Sequence, residues 1–156
     1  MFKPQILIST LFIFIFLGSC SSYNTANNEG KKLNAFFEKE FEYSVSRYPT
    51  WQTYLGRKTN YDKLNDETIE YMDEEHELDI QSLKKLKTFK FHLLSKSDQL
   101  SYKIYEYQLK QSIKGRKWRY HRFPLNQMFG YQSQTPAFMI NMHRIETNQD
   151  AEDYSS

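Results

Sequence analysis

The position of the only cysteine constrains this chain more than any other feature. Cys20 follows an apolar run, Ile6–Leu17, across the small residues Gly18 and Ser19. The run has 12 residues and is preceded by the positive charge of Lys3. It therefore matches the core of a secretion signal and is shorter than the roughly 20 residues that cross a bilayer. We expect the folded part of the protein to begin after this segment.

The segment Leu17-Gly18-Ser19-Cys20 resembles the lipobox of bacterial lipoproteins, in which the chain is cut before the cysteine and the cysteine is acylated. That resemblance implies a signal peptide over residues 1–19 and a lipid attached to Cys20. It also implies a bacterial cell-envelope protein that lies outside the cytoplasm, with the membrane as its partner through the anchor. The alternative is an ordinary signal peptide with an incidental cysteine.

The remaining 156 − 19 = 137 residues are enough for one domain with its own core. Because Lys3 is the only charged residue removed, the net charge falls from +2 to +1. Such a small charge gives no long-range attraction for nucleic acid, so we expect no nucleic-acid partner. Once Cys20 is acylated, no thiol remains for a disulfide, and packing alone must stabilise the fold.

Apolar residues that recur every three or four positions predict three main helices and an all-α fold. The first runs from Lys31 to Tyr48 and is ended by Pro49. The second is capped by Asp66, and the third opens at Ser95 with Asp98 three residues later, as in a capping box. The predicted apolar stripes are Leu33, Phe36, Phe37, Phe41, Val45 and Tyr48; Ile69, Met72, His76, Ile80, Leu83 and Leu86; and Leu100, Ile104 and Tyr107, with Tyr105, Leu109 and Ile113 on an adjoining face.

The other segments are predicted to be irregular. Residues 20–30 are polar and typical of a flexible tether, and residues 50–65 of a structured connection. Gly115 is a candidate helix end, and residues 116–136 are expected to form a long extended segment. Asp150 is expected to open a further helix. The helical domain over residues 31–156 is therefore expected to be incomplete.

The strongest local binding signal is the run Arg116–Phe123, which interleaves cations with aromatic rings. Such a run can contact anionic ligands or lipid headgroups, and the candidate contact residues are Trp118, Arg119, Tyr120 and Arg122. The alternative is a strand-like segment that lies on the core with its charges outward.

No catalytic motif is found in the sequence. His76-Glu77-Leu78-Asp79-Ile80 begins like a zinc peptidase motif, but Ile80 stands where the second histidine is required. His92, His121 and His143 show no ligand spacing, and there is no phosphate-binding loop or nucleophile elbow. We therefore expect neither enzymatic activity nor a metal or other cofactor in this chain.

Two stretches resemble the amino-terminal signature of a bacterial family filed as domain of unknown function 885 (DUF885). In that family a helix ends at a proline, a Thr-x-Leu-Gly turn follows, and a Tyr-Asp-x-Leu-x-Asp-x-Ser/Thr segment opens the next helix. The matching residues here are Pro49, Thr53, Leu55, Gly56, Tyr61, Asp62, Leu64, Asp66 and Thr68. The stretches 124–130 and 150–154 also resemble the family pattern.

The resemblance implies a secreted, largely helical lipoprotein that is similar to zinc metallopeptidases. Their His-Glu-x-x-His motif lies far downstream of the region matched here, so the resemblance assigns no catalytic residue and no zinc ligand to this chain. It implies that residues 31–156 are the amino-terminal helical part, and that the carboxy-terminal catalytic part of the same protein is its partner. The competing hypothesis is a complete small lipoprotein that binds through its aromatic and basic surface. A third hypothesis is that the sequence comes from a degenerate reading frame whose protein product is unstable.

Overall fold

The computed structural model describes residues 28–121 and 123–156, and within them the predicted all-α class is confirmed. Six α-helices are connected by loops, and the described residues contain no strand. They are α1 (28–47), α2 (Pro49–Tyr54), α3 (Ile69–Leu86), α4 (Lys96–Gly115), α5 (Tyr131–Asn141) and α6 (Asn148–Ser155). Two 3₁₀-helices span Phe91–Leu93 and Arg116–His121. The predictions for residues 1–19, Cys20 and Arg122 lie outside the described residues.

Helices α1, α3 and α4 form the hydrophobic core. Its buried members are Leu33, Phe36, Leu86, Leu94, Tyr102 and Leu109. Asn34 of α1 donates a hydrogen bond to Asp98 of α4 at 3.2 Å, so these two helices begin at the same end of the bundle. We call this end, where α3 finishes, the proximal end. The distal end is where α1 and α4 finish and α3 begins.

Helix α1 is longer than predicted, because residues 28–30, assigned to the tether, are already helical. Contacts with the rest of the bundle extend it: Gly30 is buried beside Asp98, and the Glu29 carboxylate accepts a hydrogen bond from the Lys90 amide at 2.8 Å. Pro49 follows α1 as predicted but also opens α2, because proline suits the first helical position. The connection predicted from residue 50 therefore begins with a short helix.

The start of α3 also differs from the prediction. Its cap is Thr68, whose hydroxyl accepts a hydrogen bond from the Tyr71 amide at 3.3 Å. Asp66 instead accepts from the Thr68 amide at 2.8 Å and so shapes the preceding turn. Of the predicted stripe, Ile69 and Met72 are exposed at the distal end, whereas Leu86 is fully buried at the proximal end.

Helix α4 begins at the predicted cap, with the Ser95 hydroxyl accepting from the Asp98 amide at 3.1 Å. Its buried residues are Tyr102 and Leu109. The predicted stripe of Leu100, Ile104 and Tyr107 is exposed, so the adjoining face is the one that packs on the core. The sequence offered two apolar faces, and only the packing of α1 and α3 selects between them.

Residues 116–136 are not the extended segment that was predicted. Helix α4 ends at Gly115, the predicted helix end, but the chain continues directly into the 3₁₀-helix Arg116–His121, so the strand-like alternative is wrong. Gly130 precedes α5, and Pro136 lies inside that helix. A proline in a helix interior costs about 3 kcal/mol, and burial of Phe138 in the same helix opposes this cost.

Helix α6 has a capping box in which Thr147 is the cap and Asp150 is the third helical residue. Asp150 therefore contributes to the start of this helix, but it is not the cap itself. None of the helices in residues 28–121 and 123–156 combines the length and hydrophobicity needed to cross a bilayer.

Candidate binding surface at the distal end

Two arginines of the basic aromatic run point inward. Arg116 and Arg119 both form ion pairs with Asp73 of α3, and the Arg119 Nη1 to Asp73 Oδ1 distance is 2.7 Å. In a 3₁₀-helix, residues three apart lie on the same side, so one carboxylate can hold both side chains. These two cations thus attach the run to α3, and they share the single negative charge of Asp73.

The aromatic side chains of the same run face outward. Trp118 is exposed and packs edge-on against His121, with ring centroids 4.8 Å apart. Lys117 Nζ lies 4.9 Å from the Trp118 ring centroid, and Tyr120 is 70% exposed. The predicted contact residues Trp118 and Tyr120 are therefore accessible, whereas Arg119 is tied to Asp73. Their binding role remains a prediction.

A tight loop built around Asn126 follows the run. The Asn126 side-chain oxygen accepts hydrogen bonds from the amides of Met128 at 2.9 Å and Phe129 at 2.6 Å. Gly130 closes the loop, since any Cβ there would lie 2.6 Å from the Asn126 amide nitrogen. This turn holds Met128 and Phe129 in solvent, and Phe123, which precedes it, is 83% exposed.

These residues border an open cleft of about 910 Å³ between the loop and the start of α3. Its apolar lining includes Met72, Phe123 and Phe129. Polar groups at its margin include Glu67, Arg119 and Asn126. Apolar walls with a few polar groups are typical of ligand sites, and also of surfaces that another protein segment covers.

A polar groove of about 440 Å³ adjoins the cleft. Tyr48 donates a hydrogen bond to Glu75 at 2.8 Å, and Arg47 pairs with Glu75 and with Glu74. Burial and the Glu75 carboxylate raise the pKa of Tyr48, so its hydroxyl keeps its proton. Burial raises the pKa of the Asp79 carboxyl, which also lines the groove.

The groove contains His76, but it provides no metal site. Across residues 28–121 and 123–156, no three histidine, cysteine, aspartate or glutamate side chains converge to hold a metal ion. His76 is half-buried on α3, where Glu75 and Asp79 are its acidic neighbours in the groove lining. The described residues therefore offer no ligand set for zinc.

A third group of contacts attaches α5 and α6 to the connection before α3. His143 stacks on Tyr61 with ring centroids 3.8 Å apart, and His143 Nε2 donates to the Tyr61 carbonyl at 2.8 Å. Lys58 pairs with buried Asp150 at 2.8 Å and thereby lowers the pKa of the Asp150 carboxyl. The sequence analysis missed these contacts. The Tyr61-Asp62 motif gave a signal for Tyr61, but nothing indicated its partner.

The family model of a bacterial protein of unknown function (DUF885) matches residues 49–156. The chain belongs to the DUF885 family. The matched part begins at α2 and includes α3, α4 and the distal surface, which confirms the predicted family. No curated protein matches this DUF885 chain, and no solved structure matches it.

Proposed function

We propose that this DUF885 chain is the amino-terminal, non-catalytic helical part of a lipid-anchored, metallopeptidase-like protein of the bacterial cell envelope. Cys20 carries the lipid, and residues 31–156 form one wall of a larger helical domain. The family match supports the domain assignment, and the lipobox resemblance supports the anchor. No catalytic role is assigned to the described residues, and zinc belongs to a carboxy-terminal part of the same protein.

The observation that carries this proposal is the exposed apolar surface at the distal end. Phe123, Leu125, Met128 and Phe129 all extend into solvent from a loop that Asn126 holds in place. Apolar surface in water is unfavourable by about 25 cal/mol per Å². A contiguous patch of this kind usually marks a contact with another protein segment or a ligand. The remainder of a DUF885 domain would cover the patch and turn the open cleft into an enclosed one.

The test compares the native protein, extracted from its own membranes, with the isolated chain over residues 20–156 carrying Cys20→Ser. Both are labelled with hydroxyl radicals, and the labels are located by mass spectrometry. We expect Phe123 and Met128 to be labelled several-fold less in the native protein. Tyr43, which is exposed on α1, is the internal control and should be labelled equally in both. Equal labelling of Phe123 and Met128 in the two samples would refute the proposal.

A second candidate is a complete small lipoprotein that binds a ligand through its aromatic and basic surface. The exposure of Trp118 and the nearby Lys117 ammonium favour it, because such pairs contact anionic and aromatic groups. In that case the native protein should retain the labelling of the isolated chain. Trp118→Ala should then weaken ligand capture. Trp51→Ala, which changes the other tryptophan of the sequence, is the control and should not weaken it.

A further inference from the structure

Helix α4 has a second apolar stripe that the core does not use. Leu100, Ile104 and Tyr107 are 59%, 51% and 64% exposed. Their spacing of four and three residues places them on one side of the helix. Leu100 and the buried Leu109 are nine residues apart, which at 3.6 residues per turn puts them on opposite sides. The stripe therefore lies on the side of α4 opposite Leu109, and Ile104 at its edge also borders a groove that Phe37 and Phe41 of α1 line.

A row of lysines runs beside this stripe. Lys96, Lys103 and Lys110 are seven residues apart, and Lys114 follows one turn later. All four are exposed. Lys110 is paired with Glu106 at 2.6 Å, which leaves three cations that no acidic group of α4 balances.

The other acidic residue of α4 is turned toward the bundle. Asp98 accepts hydrogen bonds from Asn34 of α1 and from the Ser95 hydroxyl. The outward face thus combines apolar side chains with positive charge and carries no free carboxylate from its own helix. This arrangement is typical of helices that lie in the plane of an anionic membrane surface.

The stripe also begins at the end of the bundle that is closest to the anchor. Asn34 and Gly30 of α1 lie against Asp98, in the first turn of α4. Only residues 21–27 separate Cys20 from the described start of α1. The eight Cα–Cα steps from Cys20 to residue 28 reach at most about 29 Å, so an acylated Cys20 keeps this end of the bundle within that distance of the lipid.

We propose that the outward face of α4 rests on the anionic phospholipid surface of the membrane that holds Cys20. Leu100, Ile104 and Tyr107 enter the headgroup region, and Lys96, Lys103 and Lys114 meet the lipid phosphates. This inference rests on the anchor in the proposed function. The anchor strengthens the contact between α4 and the lipid, because tethering raises the local concentration of the outward face of α4 at the membrane. The distal surface is then left free for the rest of the domain.

The test uses the mature chain with Cys20→Ser, so that any binding comes from the protein surface. Vesicles of phosphatidylcholine alone and of phosphatidylcholine mixed with phosphatidylglycerol are sedimented with the protein. We expect binding to the mixed vesicles only, and weaker binding as salt is added. The combined variant Leu100→Ser, Ile104→Ser, Tyr107→Ser should lower the binding constant by about tenfold or more, and Lys103→Gln with Lys114→Gln should weaken the salt dependence.

A matched control is provided by Lys63→Gln with Leu64→Ser. Both residues are exposed in the connection between α2 and α3, and Leu64 is 54% exposed, close to the members of the stripe. This control should bind vesicles like the parent chain. All variants should keep the circular dichroism spectrum of the parent, because each side chain that is changed is exposed.

Three results would overturn the inference. One is the absence of binding to the mixed vesicles, and another is binding that the triple-serine variant retains but Lys117→Gln with Trp118→Ser loses. The third is concentration-dependent dimerisation that the triple-serine variant abolishes, which would assign the stripe to a second copy of the chain. An unacylated Cys20 in the native protein would refute the anchor of the proposed function, and the vesicle assay detects the lipid contact of α4 separately.

Discussion

The two ends of the bundle are stabilised by different interactions. At the proximal end, Leu33 and Leu86 are fully buried and Leu94 and Tyr102 pack beside them. At the distal end, Val45 of α1 is also buried, but many of the described contacts are ion pairs, hydrogen bonds and stacked rings, such as those of Asp73 with Arg116 and Arg119 and of Tyr61 with His143. The large apolar residues of the distal loop face solvent instead.

This difference indicates which end of the molecule is self-sufficient. Apolar burial is non-directional and roughly proportional to the area removed from water, and the proximal core is built from residues of this chain. Polar contacts are worth about 1 kcal/mol each and depend on geometry. At the distal end, by contrast, Val45 is buried but the large apolar residues of the loop after α4 stay exposed, which fits a region that another segment completes.

The largest effect should come from the proximal core. Leu86→Ala removes a fully buried side chain and should lower the free energy of unfolding by about 2–5 kcal/mol. Urea unfolding followed by circular dichroism measures this change. Leu125→Ala, at an exposed distal position, should change it by less than about 0.5 kcal/mol. Equal effects of the two variants would show that the ends do not differ.

A smaller effect is expected when the distal contacts lose one hydroxyl. The Tyr61 hydroxyl accepts from the Arg144 amide at 2.7 Å and donates to its carbonyl at 3.2 Å. Tyr61→Phe should lower the free energy of unfolding by about 1–2 kcal/mol, because the ring still stacks on His143 but the two hydrogen bonds are lost. Tyr107→Phe removes an exposed hydroxyl and should be neutral. Equal free energies of unfolding for Tyr61→Phe and Tyr107→Phe would contradict this prediction.

The helix caps allow a matched comparison of the two ends. Ser95 caps α4 at the proximal end, and Thr147 caps α6 in the distal unit. Each cap-to-alanine change removes about 1 kcal/mol from its own helix. Ser95→Ala should lower the global stability measured in urea. Thr147→Ala should shift the urea midpoint less than Ser95→Ala does, and its main effect should be faster amide hydrogen exchange in α6.

The smallest effect appears only in acid. The Lys58 ammonium and the amides of Glu146 and Thr147 hold the pKa of the Asp150 carboxyl below its ordinary value. Its stabilising contribution is therefore complete above the unfolded-state pKa, about pH 4, and is lost as the pH falls through the folded-state value. Asp150→Asn should be less stable than the parent at neutral pH.

The test is urea unfolding of Asp150→Asn and of the parent along a pH series. The difference between their free energies of unfolding should become smaller below about pH 4. Asp62→Asn is the control, because Asp62 is exposed. A difference that stays constant with pH would mean that the Asp150 charge contributes nothing.

The sequence predicted the proximal end well for a physical reason. Leu33, Phe36 and Leu86 lie in long periodic runs, and Ser95 forms a local cap with Asp98, so nearby residues determine both features. Local periodicity did not decide which face of α4 is buried, because Leu100 and Leu109 belong to two apolar stripes of similar quality. Only the packing of α1 and α3 against α4 decides it.

The distal end was less predictable because its contacts join residues far apart in sequence. Tyr61 meets His143 and Lys58 meets Asp150 across more than 80 residues, and no local pattern indicates such pairs. Pro136 was read as a break but lies in a helix that the burial of Phe138 supports. Trp118 and Tyr120, which were predicted to contact a ligand, are exposed, and the backbone that presents them is a 3₁₀-helix.

The central claim is that this chain is the front part of a larger lipid-anchored DUF885 protein, and the intact mass of the native protein tests it most directly. The protein is extracted from its own cell membranes and its mass is measured with the lipid retained. We predict an acylated Cys20 and a mass well above that of residues 20–156 with their acyl chains. A mass equal to residues 20–156 with acyl chains would contradict the claim and identify a complete small lipoprotein.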